Sequence, residues 1–233
     1  MNGRLIESLL IAVGIVLLGV FIRQGIVEFK QMDRVVSVKG LAEMEVNADR
    51  VTWPIAYTIV GNDLISLYAE MKQKDRVIVD FLAKGTLVDA DYSLSAPTVV
   101  DTKADRYSSQ TLSYRYTLTS IITVSSSKVT EVNKLIKEQG ELLQNGIAIL
   151  GGDYRFTTNY EYTGLNSIKP QMIEQATKSA RAAAEQFAKD SDSKIGKIRR
   201  ASQGQFSISD LNSNTPERKI IRVVSTVDYE LKN

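Results

Sequence analysis

Histidine and cysteine are both absent from this chain. Without histidine, the commonest general base near neutral pH, the commonest metal ligand and every Ser-His pair are unavailable. Without cysteine there are no disulfides, thiolate metal sites or thiol nucleophiles, although an extracytoplasmic protein can fold without disulfides. A surplus of positive charge is missing too: the formal charge is +2, and lysine and arginine are scattered, so nucleic-acid binding is not expected. Proline is scarce at four residues and tryptophan occurs once, at Trp53. With 43% hydrophobic and 24% charged residues over 233 positions, the chain nevertheless has the composition of a folded protein with one sizeable core or two small ones.

What the chain does possess is a long apolar run at its start, MNGRLIESLLIAVGIVLLGVFI, followed by Arg23. Its apolar residues are Leu9, Leu10, Ile11, Val13, Ile15, Val16, Leu17, Leu18, Val20, Phe21 and Ile22, and no charge interrupts residues 9–22. At about 1.5 Å per helical residue, some 20 residues cross the ~30 Å hydrocarbon layer, so the run suffices if residues 24–27 lie at the interface. The segment leads into VFIRQGIVEF rather than into small residues of an A-x-A kind, which disfavours cleavage. It also lacks the polar face of a helix buried in a water-soluble core. Residues 1–27 are therefore read as an uncleaved transmembrane signal anchor and 28–34 as a juxtamembrane linker. Arg4 precedes the span, while Arg23, Lys30 and Arg34 follow it, so charge alone does not set orientation. A short tail, one span and a large following domain favour export of that domain.

From residue 35 the pattern alternates. Residues 35–61 read as two strands turning at Asn47-Ala48-Asp49, with Pro54 marking an edge or a bulge in the second. Asn62-Asp63 caps a helix whose apolar positions include Leu67, Met71, Ile78, Phe81 and Leu82, and Gly85 stops it. Residues 92–101 and 111–124 form a further strand pair. Residues 125–127 are placed to cap a second helix carrying Val129, Val132, Leu135, Ile136, Leu142 and Leu143. Residues 153–162 read as a strand, and Pro170 as part of the first turn of a third helix ending near Lys189. Ile173, Ala176, Ala180, Ala183, Ala184 and Phe187 share one face of that helix. Strands over 197–207 and 220–230 close the chain around the polar loop SDLNSNTPER. The predicted fold class is α+β, mainly antiparallel strands packed with long helices.

These segments carry a resemblance. VVSVKGLAEMEVNADRVTWPIAYTIVG is similar to the opening of SIMPL-domain proteins, and YRYTLTSIITV, YRFTTNYEY and ATKSARAAAEQFAKDSDSKIGKIRRAS resemble the family's later strands, helix and glycine turn, in order. The chain differs in having Ala48-Asp49 where the family turn often carries proline-aspartate, and in its retained anchor where many members have a cleavable signal. The resemblance implies a SIMPL-like domain over residues 35–233, held in the bacterial cell envelope on the periplasmic side of the inner membrane. In at least one branch of the family, such domains form large ring-like or channel-like homo-oligomers. The family has broad links to envelope integrity and oxidative-stress defence and no agreed biochemical activity.

The residues point to no enzyme, cofactor or metal. Glu43 with Glu45, and Asp89 with Asp91, stand two apart as acid/base or metal pairs would on a strand, but the simpler reading is a solvated face or turn. Gly140, Gly146, Gly151 and Gly152 lack the phosphate-loop signatures and read as turn glycines. Lys194, Lys197, Arg199 and Arg200 form the densest basic cluster, a candidate contact for acidic lipid or a neighbouring subunit. Trp53, Ala176, Ala180 and Ala183 join Arg199 and Arg200 as candidate oligomer or partner contacts. Tyr107, Tyr114, Tyr116, Tyr154, Tyr160 and Tyr162 could present a carbohydrate or peptide platform, or simply satisfy strand preference. Two function classes follow: a membrane-anchored scaffold that self-assembles, and an envelope ligand- or protein-binding module of low oligomeric order. Ser-Lys hydrolysis is a disfavoured third.

Overall fold

The computed structural model describes residues 3–32, 34–104 and 113–232, with the side chains of its first helix described over residues 9–26. The chain divides into two compact units, each built from separate stretches of sequence.

The first unit comprises residues 1–44, 167–208 and 221–233. Helix α1 spans Gly3–Met32, and strand β1, Val35–Asn47, begins three residues later. Within the unit β1 pairs with the last strand, β9 (Arg218–Lys232), which pairs on its other side with β7 (Lys194–Gln203), so β1 and β7 are the outer strands of the sheet. The short β8 (Ser207–Asp210) also pairs with β9. One face of β9 is buried at Ile221, Val223, Ser225, Val227 and Tyr229, because helix α5, Leu165–Asp190, lies on that face. The helix contacts the sheet through Met172, Ala176, Ala180, Ala184 and Ala188, a strict four-residue spacing that keeps small side chains in one row. The predicted stripe is corrected at its ends: Phe187 is exposed, while Met172 and Ala188 are buried. Pro170 lies inside α5 in the second turn rather than the first, because the helix starts at Leu165.

The second unit comprises residues 45–166 and 209–220. Its sheet has the order β3-β5-β2-β6, from Tyr92–Leu94, Tyr116–Ser126, Arg50–Gly61 and Asn159–Glu161, with β4 (Thr98–Asp101) also pairing with β5. Helices α2 (Leu64–Lys84), α3 (Val129–Glu138) and α4 (Gly140–Gln144) complete the unit. The core gathers Val51, Trp53, Ile55 and Tyr57 of β2, Leu118, Ile122 and Val124 of β5, and the buried faces of the helices. Asp63 caps α2 by accepting the Ser66 N–H at 2.9 Å, and Gly85 ends it, as predicted. Residues 92–101 divide into two short strands, and the second predicted helix divides at Gln139-Gly140, where glycine is a poor helix former. That helix begins after Lys128, not on a serine cap; Ser126 Oγ instead accepts the Lys128 N–H at 3.1 Å. Residues 153–162 form a 3-10 turn (Tyr154–Phe156) and then the three-residue β6, because Asp153 accepts the Arg155 N–H and bends the chain. Pro54 causes no bulge and lies in an inner strand. β6 covers only Arg50–Thr52, and the next bond on that flank runs from Leu150 N–H to the Ala56 carbonyl, so the proline falls in the gap.

Candidate functional site

The most unusual surface in the chain is α1. Its segment Leu9–Ile26 has a mean hydropathy of 2.3 over 18 residues, and none of these side chains is buried. Leu9, Leu10, Ile11, Val13, Ile15, Val16, Leu17, Leu18, Val20, Phe21 and Ile22 are all exposed, as is Ile26. By length and composition this helix is able to cross a membrane, whether as an anchor or as a signal sequence. Apolar side chains turned outward around the whole circumference have no counterpart in a helix that packs on a water-soluble core.

The candidate contact residues fall into two groups. Ala176 and Ala180 are fully buried inside the first unit, and Ala183 is partly buried against the same cluster. The reason is Gly40 on β1: a Cβ built there would stand 1.9 Å from the Ala176 carbonyl oxygen and 2.8 Å from the Ala180 Cβ. Glycine against alanine lets α5 lie directly on the strand, so Ala176 and Ala180 pack within the chain. Trp53 is buried in the core of the second unit. Arg199 and Arg200 are exposed on the outer strand β7, where Arg200 stands opposite Asp228 of β9.

The carboxylate pairs are occupied structurally. Glu45 pairs with Arg218 at 2.7 Å, and Glu43 stands 3.7 Å from Arg222. Asp89 and Asp91 lie in a 3-10 turn rather than a strand. Asp89 accepts from the Tyr92 hydroxyl at 2.7 Å. Asp91 accepts from the Val88 N–H at 3.0 Å, Lys128 Nζ at 2.9 Å and Ser126 Oγ at 2.7 Å, which together hold its carboxyl down to about 2. Among the described residues no group of three or more acidic side chains is placed to hold a metal ion. Gly146 and Gly152 have positive φ, 74° and 82°, and serve as turn residues. Of the described tyrosines, Tyr154 is the most exposed; Tyr160 is buried and bonded to Asn133, and Tyr107 lies outside the described residues.

Three features escaped the sequence reading. Asp75 is buried on α2, where Oδ1 accepts from Ser120 Oγ at 2.8 Å and stands 2.8 Å from the Tyr57 hydroxyl, itself 2.9 Å from the Met71 carbonyl. Burial, reinforced by Asp75, pushes the Tyr57 phenol well above its usual range. The signal was the spacing 67, 71, 75, 78, 82, which places an aspartate on the apolar stripe. Asp49, in the turn after β1, accepts from the backbone N–H groups of Thr163 and Gly164 at 2.8 and 3.0 Å and from Thr163 Oγ1 at 3.0 Å, bracing the segment that enters α5. A groove of about 400 Å³ in the second unit is lined by Trp53, Pro54, Leu143, Ile149, Leu150 and Phe156, among others, where the β2 flank is left uncovered. No local motif signals it, because its walls come from distant stretches.

No curated protein matches the sequence. Residues 36–225 match the model of the SIMPL family, described as a protein of unknown function (DUF541). That match covers both units and all but the N-terminal helix and the last few residues, and with it the chain belongs to the SIMPL family.

Proposed function

We propose that the chain is a non-catalytic, single-pass envelope protein of the bacterial inner membrane. Its helix is retained as an anchor, its folded part is held in the periplasm, and copies assemble into a ring-like or channel-like homo-oligomer that serves envelope stress defence. The observation that carries this reading is the uncovered apolar surface of Leu9–Ile26 joined to a SIMPL fold. Anchoring many copies in one plane raises their effective concentration, so weak contacts suffice for assembly. The outer strands β1 and β7 are the natural contacts. Pairing β7 with another β7 would oppose Lys197, Arg199 and Arg200 to their own copies, which like-charge repulsion disfavours. Joining β7 of one copy to β1 of the next is head-to-tail, the geometry that closes rings.

The decisive experiment takes full-length protein from cells. Resistance to alkaline carbonate extraction, with a mass that includes Met1, supports the anchor; release or a shortened N-terminus overturns it. Light scattering in detergent then reads assembly, where a large discrete mass supports the ring and a monomer overturns it. Protease protection that is lost only when the outer membrane is permeabilised supports periplasmic placement. The second reading, a ligand-binding module of low oligomeric order, has one observation in its favour, the apolar groove beside Trp53 and Pro54.

A further inference from the structure

The basic cluster acquires a location in the structure that its sequence does not reveal. The Leu231 N–H donates to the Arg34 carbonyl at 2.9 Å, and Ile195 of β7 stands opposite Leu231 on the other side of β9. Lys194 to Arg200 therefore lies level with Arg34 to Ser37, at the end of the sheet where the chain arrives from α1. Val35, Ser37, Asp228, Arg199 and Arg200 line one concavity of about 550 Å³ on the face of the sheet opposite α5. From Ile26, the end of the apolar span, to Met32 is about 9 Å of helix, and three further residues add at most ~10 Å. Val35 is thus no more than about 20 Å from the hydrocarbon edge, of which the headgroup layer itself takes roughly 5–8 Å.

Charge at this end favours anions. Arg34, Lys194, Lys197, Arg199, Arg200 and Lys232 outnumber Asp192, Asp228 and Glu230, while Lys189 and Asp190 at the end of α5 cancel. A guanidinium presents a fork of donors that matches a phosphate diester. Asp228 sits in the same concavity and repels a bare phosphate dianion, yet its carboxylate and the Ser37 hydroxyl accept hydrogen bonds from hydroxyl groups. A headgroup that combines one phosphodiester charge with a polyol satisfies both halves. We propose that this concavity binds the glycerol-phosphate headgroup of an anionic phospholipid in the leaflet bordering the C-terminal end of the span. The inference rests on α1 being retained as a span, and it holds for either orientation of that span.

The test uses full-length protein in mixed micelles that contain phosphatidylglycerol, phosphatidic acid and phosphatidylcholine, with the lipids retained per chain read by native mass spectrometry. Expected is a preference for phosphatidylglycerol over phosphatidylcholine of about tenfold, lost at high salt and in R199Q/R200Q. The control K178Q/R181Q, on α5 where both cations pair with glutamates, keeps the preference. Both arginines are exposed, and an unchanged circular dichroism spectrum checks that the double variant folds. No preference in the wild type, or its persistence in R199Q/R200Q, overturns the site. Phosphatidic acid retained as well as phosphatidylglycerol overturns the polyol assignment. Carbonate release of the wild-type protein from membranes is the separate result that removes the anchor and this inference with it, whereas anchored protein without lipid preference removes the inference alone.

Discussion

A methyl group added at Gly40 would meet the Ala176 carbonyl oxygen at 1.9 Å, a contact that only displacement of α5 or β1 relieves. Gly40→Ala is therefore expected to destabilise the protein by at least about 2 kcal/mol, read by urea denaturation. Neither the Ala176 carbonyl nor the strand backbone has a side chain that could rotate away. Asp49→Ala leaves the Thr163 and Gly164 N–H groups without their acceptor and should cost about 1–2 kcal/mol in the same assay. Asp91 makes stability depend on acid. Its folded carboxyl is held below the unfolded value, so its contribution is complete above about pH 4 and is lost as pH falls toward 2. Wild-type protein should lose roughly 2 kcal/mol more than Asp91→Asn over that interval, measured as the difference between their denaturation midpoints at the two pH values. None of these roles was readable from residue type. Asp49 looked like a turn residue and Asp91 half of a carboxylate pair, because their partners Thr163 and Lys128 stand 114 and 37 positions away.

Elements were legible wherever the pattern was long. The alternation of β1, β2 and β5 and the capped α2 follow directly from their residues, since period-two burial and an Asp63 cap are local properties. The short strands β3, β4, β6 and β8 were blurred or missed, because three or four residues of pairing leave no period and depend on where β5, β2 and β9 run. The alanine face of α5 was seen, but its destination was not. A row of small side chains is the same signal whether it meets another subunit or a glycine strand in the same chain. Ala180→Leu distinguishes these outcomes: overpacking against β1 should lower the unfolding midpoint in detergent while a subunit contact would change only the mass. Tyr57→Phe tests the other helix-to-sheet tie. It removes a donor beside buried Asp75 and should cost about 1–3 kcal/mol, with Ser120 left as the remaining hydroxyl on that oxygen.

At the scale of the whole molecule, the apolar run and the α+β class were plain from composition and period, whereas the division into interleaved units was not. A chain that crosses from one unit to the other at residues 44, 166, 208 and 220 shows no linker, and its strands β1 and β9 continue through the boundaries. This path also sets the order in which the protein is completed. β1 emerges from the ribosome well before β9, the strand with which it pairs among the described residues. Until β9 is made, β1 and β7 lack the strand that joins them in one sheet. Such long-range closure is slow relative to local helix formation. A chain cut before residue 218 should accordingly fail to fold in its first unit, seen as protease-sensitive β1 and β7 segments. The fifteen residues of β9 therefore act as a clasp, and β1 must be kept from straying partners until they are made.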